Sequence, residues 1–394
     1  MAKTIVNIIT DENPIPAYLF IKEMYEDGDR LMYISARSTI DDLASLKRFV
    51  DVPDEQIDTI LLPHNKDEYA YEHICRTVRS ALHEDVSYHV NLAGGTRYMA
   101  LAVQQVFERF GAKFYYVHVD RNQIVHSIYD DSIYDDDDHF FPIRHRMTVA
   151  EYLEAHEIQH NLYDKNHTHL PIRTEADSKR FFERFAFHHL TPNDYETLEL
   201  LRIHYRDRNN ININEVETKG RGNAPAVPHL SALLSEIGFV PSEEGMLKRK
   251  ELEYLTGGWL EEFIYYQVVK YAEPTDAVIG VVISREGVKT FNELDVVFTK
   301  GNKLFVIECK AGIANESTFN GIVYKACAIR EALLGVSCFS YIFSLKKDSN
   351  DDKLERIAKN MDTLFMDYEV LTSAGRLKDA IIKMKDRAKE LVQS

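Results

Sequence analysis

The stretch Asn292-Glu293-Leu294-Asp295-Val296-Val297-Phe298-Thr299-Lys300-Gly301-Asn302-Lys303-Leu304-Phe305-Val306-Ile307-Glu308-Cys309-Lys310 decides the fold of the C-terminal part of this chain. Two largely apolar runs, NELDVVF (292–298) and LFVIEC (304–309), flank Lys300-Gly301-Asn302-Lys303. A two-residue Gly-Asn loop between such runs predicts a β-hairpin. Its register pairs Lys300 with Lys303. Continued outward, it sets Asp295 opposite Glu308 and Glu293 opposite Lys310, with opposed Cβ atoms about 5 Å apart. Side chains alternate along a strand, so Asp295, Glu308 and Lys310 share one face. Leu294, Val296, Phe298, Phe305, Ile307 and Cys309 fall on the other face, which reads as core.

Two carboxylates so placed repel, and one of them is protonated more readily unless a cation stands between them. Mg²⁺ or Mn²⁺ resolves the repulsion, because hard cations take carboxylate oxygens. Such an ion activates water, and Lys310 can hold that water or stabilise transition-state charge. The plain alternative is a solvated polar face with a Glu293–Lys310 ion pair.

Asp-x(12)-Glu-Cys-Lys, with an apolar strand before the glutamate, resembles the PD-(D/E)XK restriction-type nuclease motif. The resemblance implies that Asp295, Glu308 and the Cys309 carbonyl bind the metal and that Lys310 is the catalytic lysine. The proline of the motif is replaced by Leu294. Such nucleases often carry a further glutamate on the preceding helix, here TGGWLEEFIYYQVVK (256–270). Its buried stripe is Trp259, Leu260, Phe263, Ile264 and Gln267. Glu261 is the expected catalytic glutamate, and Glu262 the alternative.

The chain has 394 residues, which suits two or three domains. Its net charge of −16 is uneven, since residues 1–145 hold 14 basic and 25 acidic side chains. Part of that acid is the run Asp135–Asp138, expected to be a solvated loop. The balance argues against broad wrapping of DNA, although local lysines can still grip a strand. No apolar run is long enough for a membrane helix, and MAKTIVNIIT (1–10) lacks a signal-peptide pattern. Four scattered cysteines lack zinc spacing, and a reducing cytoplasm suits them.

Residues 1–145 alternate strand and helix. Strands are expected at 4–10, 30–35, 59–62, 87–93 and 113–120, and helices at 17–27, 41–50, 67–83 and 99–111. This pattern implies a parallel Rossmann-like sheet. Ligands bind such sheets beyond the carboxyl ends of strands. Thr10-Asp11-Glu12-Asn13-Pro14 follows the first strand, and Gly94-Gly95-Thr96-Arg97 follows the fourth and opens a helix. Glycines admit a close backbone approach, free N–H groups at a helix start attract phosphate, and Arg97 adds charge. Neither GxGxxG nor GxxxxGK[ST] is present, so NAD and ATP readings are weak.

Asn91-Leu92-Ala93-Gly94-Gly95-Thr96-Arg97 in a Rossmann-like domain, followed by a PD-(D/E)XK domain, resembles the CRISPR-associated CARF-domain nucleases, the ancillary effectors of type III defence. The resemblance covers essentially the whole chain. It implies a homodimer that binds a cyclic oligoadenylate, most often cyclic tetra-adenylate, across its two-fold axis. By motif position the binding residues are Asp11, Asn13, Gly94, Gly95, Thr96 and Arg97, with Ser35 and Arg37 weaker candidates. The substrate is nucleic acid, DNA or RNA, single-stranded or nicked duplex. The domains expected are a CARF domain at 1–145, a small, mostly helical winged-helix-like module at 146–250, and a restriction-endonuclease-like α/β domain at 251–394. In the module, helices are expected at 147–158, 178–187, 192–208 and 227–237, with a β-wing across 238–247. It reads as a spacer, or as a DNA reader through Lys248-Arg249-Lys250. Helices at 319–334, carrying Tyr324 and Lys325, and at 374–392 complete the nuclease domain, with a strand at 337–345 between them. Two other functions remain open: a standalone restriction or repair endonuclease, and a CARF-plus-winged-helix transcription regulator with a degenerate nuclease.

Overall fold

The computed structural model describes residues 2–9, 13–36, 52–62, 71–127, 139–165, 167–187, 191–285, 292–311, 338–345 and 363–390. Asp11, Arg37, the helix expected at 41–50, the acidic run 135–138 and the helix expected at 319–334 with Tyr324 and Lys325 lie outside them.

The N-terminal sheet contains β1 (Thr4–Ile9), β2 (Arg30–Ala36), β3 (Ile57–Leu62), β4 (Tyr88–Asn91), β5 (Lys113–His118), β6 (Gln123–Ser127) and β7 (Phe140–Pro142). Their order is β3-β2-β1-β4-β5-β6-β7. The first five pair in parallel, and β6 and β7 extend the sheet antiparallel. These last two strands were missing from the sequence expectation. Helices α1 (Ile15–Met24), α2 (Tyr71–Arg79) and α3 (Arg97–Glu108) connect the parallel strands. The strand order reverses direction between β1 and β4, which makes the gap beyond their carboxyl ends the switch point where such sheets bind ligands.

Two cores flank this sheet. Val6, Ile8, Ile34 and Val90 pack against Ile74 and Val78 of α2 and Val103 and Val106 of α3. The opposite face packs on α1 and on α4 (Val149–Ala155), whose Val149, Tyr152 and Leu153 continue into the C-terminal sheet. A side chain of that size buried from water contributes roughly 1.5–3 kcal/mol, so this shared core holds the two sheets as neighbours.

The C-terminal sheet has the order β15-β14-β13-β12-β11-β8, from β8 (Ile158–His160), β11 (Asp276–Arg285), β12 (Asn292–Lys300), β13 (Lys303–Lys310), β14 (Cys338–Ser344) and β15 (Thr363–Met366). Its edge strand β8 comes from the segment after α4, where the sequence expectation extended a helix to residue 158. One face carries Val296, Phe298, Phe305, Ile307 and Cys309 against Trp259, Leu260, Phe263 and Ile264. The other face, with Val297, Leu304 and Val306, is equally dry. The plain alternative of a solvated polar face therefore fails along Val297, Leu304 and Val306, because the N-terminal domain covers them.

In the chain, α5 (Glu175–Ala186), α6 (Pro192–His204), β9 (Asn210–Asn212), α7 (Ile213–Thr218), α8 (Leu230–Glu236), β10 (Met246–Lys248) and α9 (Arg249–Glu253) come between β8 and β11, and their apolar residues join the core under Trp259–Ile264. The order helix, strand, helix, helix, strand from α6 to β10 is that of a winged helix. The wing pairing differs from expectation, because β10 pairs with β9 and not with residues 238–240. A π-turn (Tyr254–Gly258) leads directly into α10 (Trp259–Ala272). Helices α11 (Tyr368–Thr372) and α12 (Ala374–Glu390) follow the last strand.

Candidate functional site

The hairpin follows the expected register from Lys300↔Lys303 to Val296↔Ile307. Beyond that pair the Asp295 carboxylate reaches across and accepts the Cys309 backbone N–H at 2.7 Å. The neighbouring strand bends at the same level. Its register with β12 passes from Ile279↔Val296 to Val281↔Leu294 around Gly280, whose φ is +63°. The bend turns Leu294 over: it joins Val281 and Ile283 in the core between the sheets, while Val296 stays with Ile279 under α10. The expected core face is corrected at this residue. A glycine with left-handed backbone is the physical reason, since it reverses the strand's alternation there.

At the bend the acidic residues gather. Lys310 Nζ lies 2.7 Å from Glu308 Oε1 and 3.4 Å from Asp295 Oδ2. Asp295 and Glu308 are buried, and Lys310 is partly exposed. Burial, and then the Glu308 charge, push the Asp295 carboxyl up to about 7, against the pull of Lys310 and the Cys309 N–H. The paired carboxylates hold the Lys310 ammonium above its usual range despite burial. Burial pushes the Cys309 thiol well up, so it stays protonated and leaves only the carbonyl of this residue to face a metal.

The two helix glutamates separate cleanly. Burial, and then the charges of Asp295 and Glu293, raise Glu261 well above the carboxylate range, while Lys310 and Arg206 oppose the shift. Glu262 points away from the cluster. Its Oε1 accepts the Ile172 N–H at 2.5 Å and its Oε2 accepts the Ser178 hydroxyl at 3.2 Å. Sequence periodicity could not divide these neighbours, because both sit in the first turn of α10.

Among the described residues no group of three or more histidine, cysteine or acidic side chains stands ready to enclose a metal ion. The donor chemistry nevertheless fits a hard cation. Asp295 and Glu308 share one ammonium, Glu261 lies within reach of their field, and the raised Asp295 marks an unmet demand for positive charge.

The second candidate site is the switch point. A Cβ on Gly94 would stand 2.0 Å from the Ile8 carbonyl oxygen, and Gly95 has φ +76° with Ile8 against it. The turn therefore lies directly on the end of β1. Thr96 caps α3 by accepting the Met99 N–H at 3.2 Å, and Arg97 is exposed at the first helical position. Asn13 Oδ1 accepts the Ile15 N–H at 3.1 Å and shapes the start of α1. Asn91, quoted in the motif without a role of its own, ties the end of β4 to β1 and α1: its Nδ2 donates to Asn7 Oδ1 and to the Pro16 carbonyl, and its Oδ1 accepts the Ala93 N–H. Ser35 is fully buried beside Ile9, so it presents no surface to a ligand here.

A parallel sheet with a glycine turn at its switch point, joined to a restriction-type sheet with a carboxylate–lysine cluster, defines a nuclease with a ligand-sensing domain. Residues 4–152 match the family model described as the Card1 CARF domain, and residues 248–388 match the model described as the Card1-like endonuclease domain. The chain thus belongs to the CARF-domain nucleases of the Card1 type, and it is an endonuclease. No curated protein matches its sequence. Among solved structures it is similar to protein VC1899 from Vibrio cholerae, with TM-score 0.73 and 16% identity over 98% of both chains. It is also similar to Can2 from Sulfobacillus thermosulfidooxidans, solved in complex with cyclic tetra-adenylate, with TM-score 0.70 and 19% identity over 97% of this chain and 98% of that one. A type III CRISPR defence DNA nuclease activated by cyclic oligoadenylate aligns with TM-score 0.52 and 14% identity, over 87% of this chain and 45% of that one.

Proposed function

We propose that this endonuclease is switched on by a cyclic oligoadenylate, cyclic tetra-adenylate in the first instance, and acts in type III CRISPR defence. One observation carries the reading: a single chain joins a Card1-type CARF switch point, with Gly94-Gly95 laid on β1, to a buried Asp295/Glu308/Lys310 cluster. The activator residues are Asn13, Gly94, Gly95, Thr96 and Arg97, with Asp11 from the first loop. Residues 1–145 sense, 146–250 connect, and 251–394 cut. The active form is a homodimer, as a two-fold symmetric ring demands, and it works in the cytoplasm.

Asp295, Glu308 and the Cys309 carbonyl would hold Mn²⁺ or Mg²⁺, with Glu261 in support. When bound, the ion polarises a phosphodiester and acidifies a water. Lys310 donates toward the phosphate oxygens, where negative charge grows as the nucleic-acid strand, DNA or RNA, is cut. Asp295 is oriented by the Cys309 N–H, and its raised carboxyl would have to give up its proton to serve as a ligand.

The test is cleavage of labelled single-stranded DNA, single-stranded RNA and plasmid with Mn²⁺, with and without cyclic tetra-adenylate. Stimulated cleavage that vanishes in EDTA and in Glu308→Gln is expected. Cleavage that ignores the ring points to a standalone endonuclease, and undiminished cleavage by Glu308→Gln excludes this site.

A further inference from the structure

The turn that closes the catalytic hairpin is built into the CARF domain. Asn302, in the turn between β12 and β13, is 1% exposed and has φ +60°. Its Oδ1 accepts the Met147 N–H at 2.9 Å. Its Nδ2 donates to the His145 carbonyl and to Asn122 Oδ1, each at 3.1 Å. Thr299, also fully buried, donates its hydroxyl to the Met147 carbonyl at 2.7 Å. Lys303, 2% exposed, pairs with Asp120 at 2.6 Å. Thr299, Asn302 and Lys303 of this hairpin end are therefore tied to the turn after β5 or to the strap 143–147.

Both anchors belong to the ligand end of the CARF sheet. β5 runs parallel to β4, so the turn holding Asp120 and Asn122 lies at the same end as Gly94–Arg97. The strap is fixed to that turn by the Ile143 N–H to Asn122 carbonyl bond at 2.9 Å and by the Asn122 Nδ2 to Ile143 carbonyl bond at 2.9 Å. It is fixed to α1, the helix opened by Asn13, through Glu23, whose Oε1 accepts the N–H groups of Arg144 and His145 at 2.8 and 2.6 Å. Tyr18 on the same helix donates to Glu151 of α4 at 2.9 Å. A hydrogen-bonded route thus runs from α1, the helix that follows the first ligand loop, through the strap to the hairpin that bears Asp295, Glu308 and Lys310, and the β5 turn, at the ligand end of the sheet, joins it through Asn122.

We propose that Asn302 and Asn122 are the positioning residues that couple the CARF loops to the nuclease hairpin, with the strap 143–147 as the moving link. A spacer role would need no such bonds. Three donors and acceptors from one buried amide fix orientation as well as distance, and a buried amide with its bonds met tolerates few alternative arrangements. Movement of α1 or of the β5 turn must then either carry the hairpin with it or break these bonds. Coupling arises because the activator favours the arrangement in which both ends fit.

The proposal rests on the activator-switched reading, and its test separates the two. Asn302→Gly keeps the left-handed backbone, which glycine adopts freely, and deletes the amide's three bonds. Asn122→Gly does the same at φ +54°. Asn302→Asp keeps the acceptor for Met147 and loses the two donors. Full-length variants are compared by calorimetric binding of cyclic tetra-adenylate, by Mn²⁺ binding, and by ring-stimulated cleavage of single-stranded DNA and RNA. Each glycine variant should bind the ring at least as tightly as wild type, since binding no longer has to drive the hairpin. Stimulation should fall ~10-fold or more, within the usual span of allosteric coupling, with Asn302→Asp between. The double glycine variant should be no worse than either single one, as expected for two parts of one link. Full stimulation in both glycine variants overturns the proposal. So does loss of ring binding in step with stimulation, which would mean the contacts only hold the CARF fold. Should one glycine variant fail to fold, the other and Asn302→Asp decide by the same criteria. If wild type binds no ring and cuts equally without it, the sensing reading fails first and the coupling falls with it.

Discussion

The Asp295 carboxylate accepts the Cys309 backbone N–H across the hairpin at 2.7 Å, where a regular ladder would place only main-chain partners. One side chain therefore does two jobs, satisfying a buried donor and supplying charge to the cluster. The two jobs separate by substitution. Asp295→Asn retains a carbonyl acceptor for that N–H, so it should fold, and without metal at pH 8 it should be at least as stable as wild type. Asp295→Ala strands a buried donor and should lose about 1–3 kcal/mol. Neither should cut. Chemical denaturation of both variants checks this, and equal stability of the two would show that the bond contributes nothing.

A pH dependence follows from Glu262. Burial, its main perturbation, raises the carboxyl to about 7 against hydrogen bonds from Ile172 and Ser178. A buried acid raised in the folded state holds a proton that the unfolded chain has already lost. Its contribution is full below about 4.5 and is lost as pH rises through about 7. Over that window the loss is at most roughly 3 kcal/mol, from 1.36 kcal/mol per unit. Glu262→Gln keeps an acceptor for the Ile172 N–H and carries no charge. It should flatten this slope and gain stability relative to wild type at pH 8 but not at pH 4.5, as read by unfolding midpoints at the two pH values.

The switch-point turn makes contrasting demands on adjacent residues. Gly94→Ala forces a methyl group within 2.0 Å of the Ile8 carbonyl oxygen, a backbone atom that cannot yield. It should destabilise the N-terminal sheet and weaken ring binding together. Arg97 is exposed, so Arg97→Ala should leave the unfolding midpoint in place while ring affinity falls several-fold. Calorimetry with cyclic tetra-adenylate and its cyclic hexamer, paired with thermal unfolding, distinguishes them. An Arg97→Ala protein that binds as tightly as wild type removes this residue from the ligand site.

Much of this was legible in the chain because period and punctuation act locally. Strand–helix alternation gave the parallel sheet, and Gly301-Asn302 gave the hairpin register as far as Val296 and Ile307. The misses share a physical cause, namely that distant segments decided them. Leu294 turned over because Gly280 on the neighbouring strand bends the sheet there. The second face of the hairpin is dry because the N-terminal domain covers Val297, Leu304 and Val306. Residues 158–160 became an edge strand because β11 offered unpaired backbone. Asn302 was readable as a turn former but not as an interdomain bond, since no local pattern encodes a partner some 155 residues away. The helix glutamates differ only in what each faces across space.

Lys310 offers the sharpest test of the cluster, because its charge serves two ends with opposite signs. Its ammonium lies 2.7 Å from Glu308 and 3.4 Å from Asp295, so without metal it is the countercharge that lets two carboxylates sit together. Removing it leaves buried like charges uncompensated, which should destabilise the metal-free protein. The same removal makes the site more negative and frees both carboxylates for an ion, so Mn²⁺ should bind more tightly and raise the unfolding midpoint further than in wild type. Cleavage should nevertheless be abolished, since no group remains to meet the charge that develops on the phosphate. Lys310→Met, which keeps the apolar stem, is the variant of choice, with Glu308→Gln as the contrast that should lose both metal binding and cleavage. Thermal unfolding across a Mn²⁺ titration and single-turnover cleavage read the two properties separately. A Lys310→Met protein that binds Mn²⁺ more weakly than wild type would mean that the lysine supports the metal site instead of competing with it.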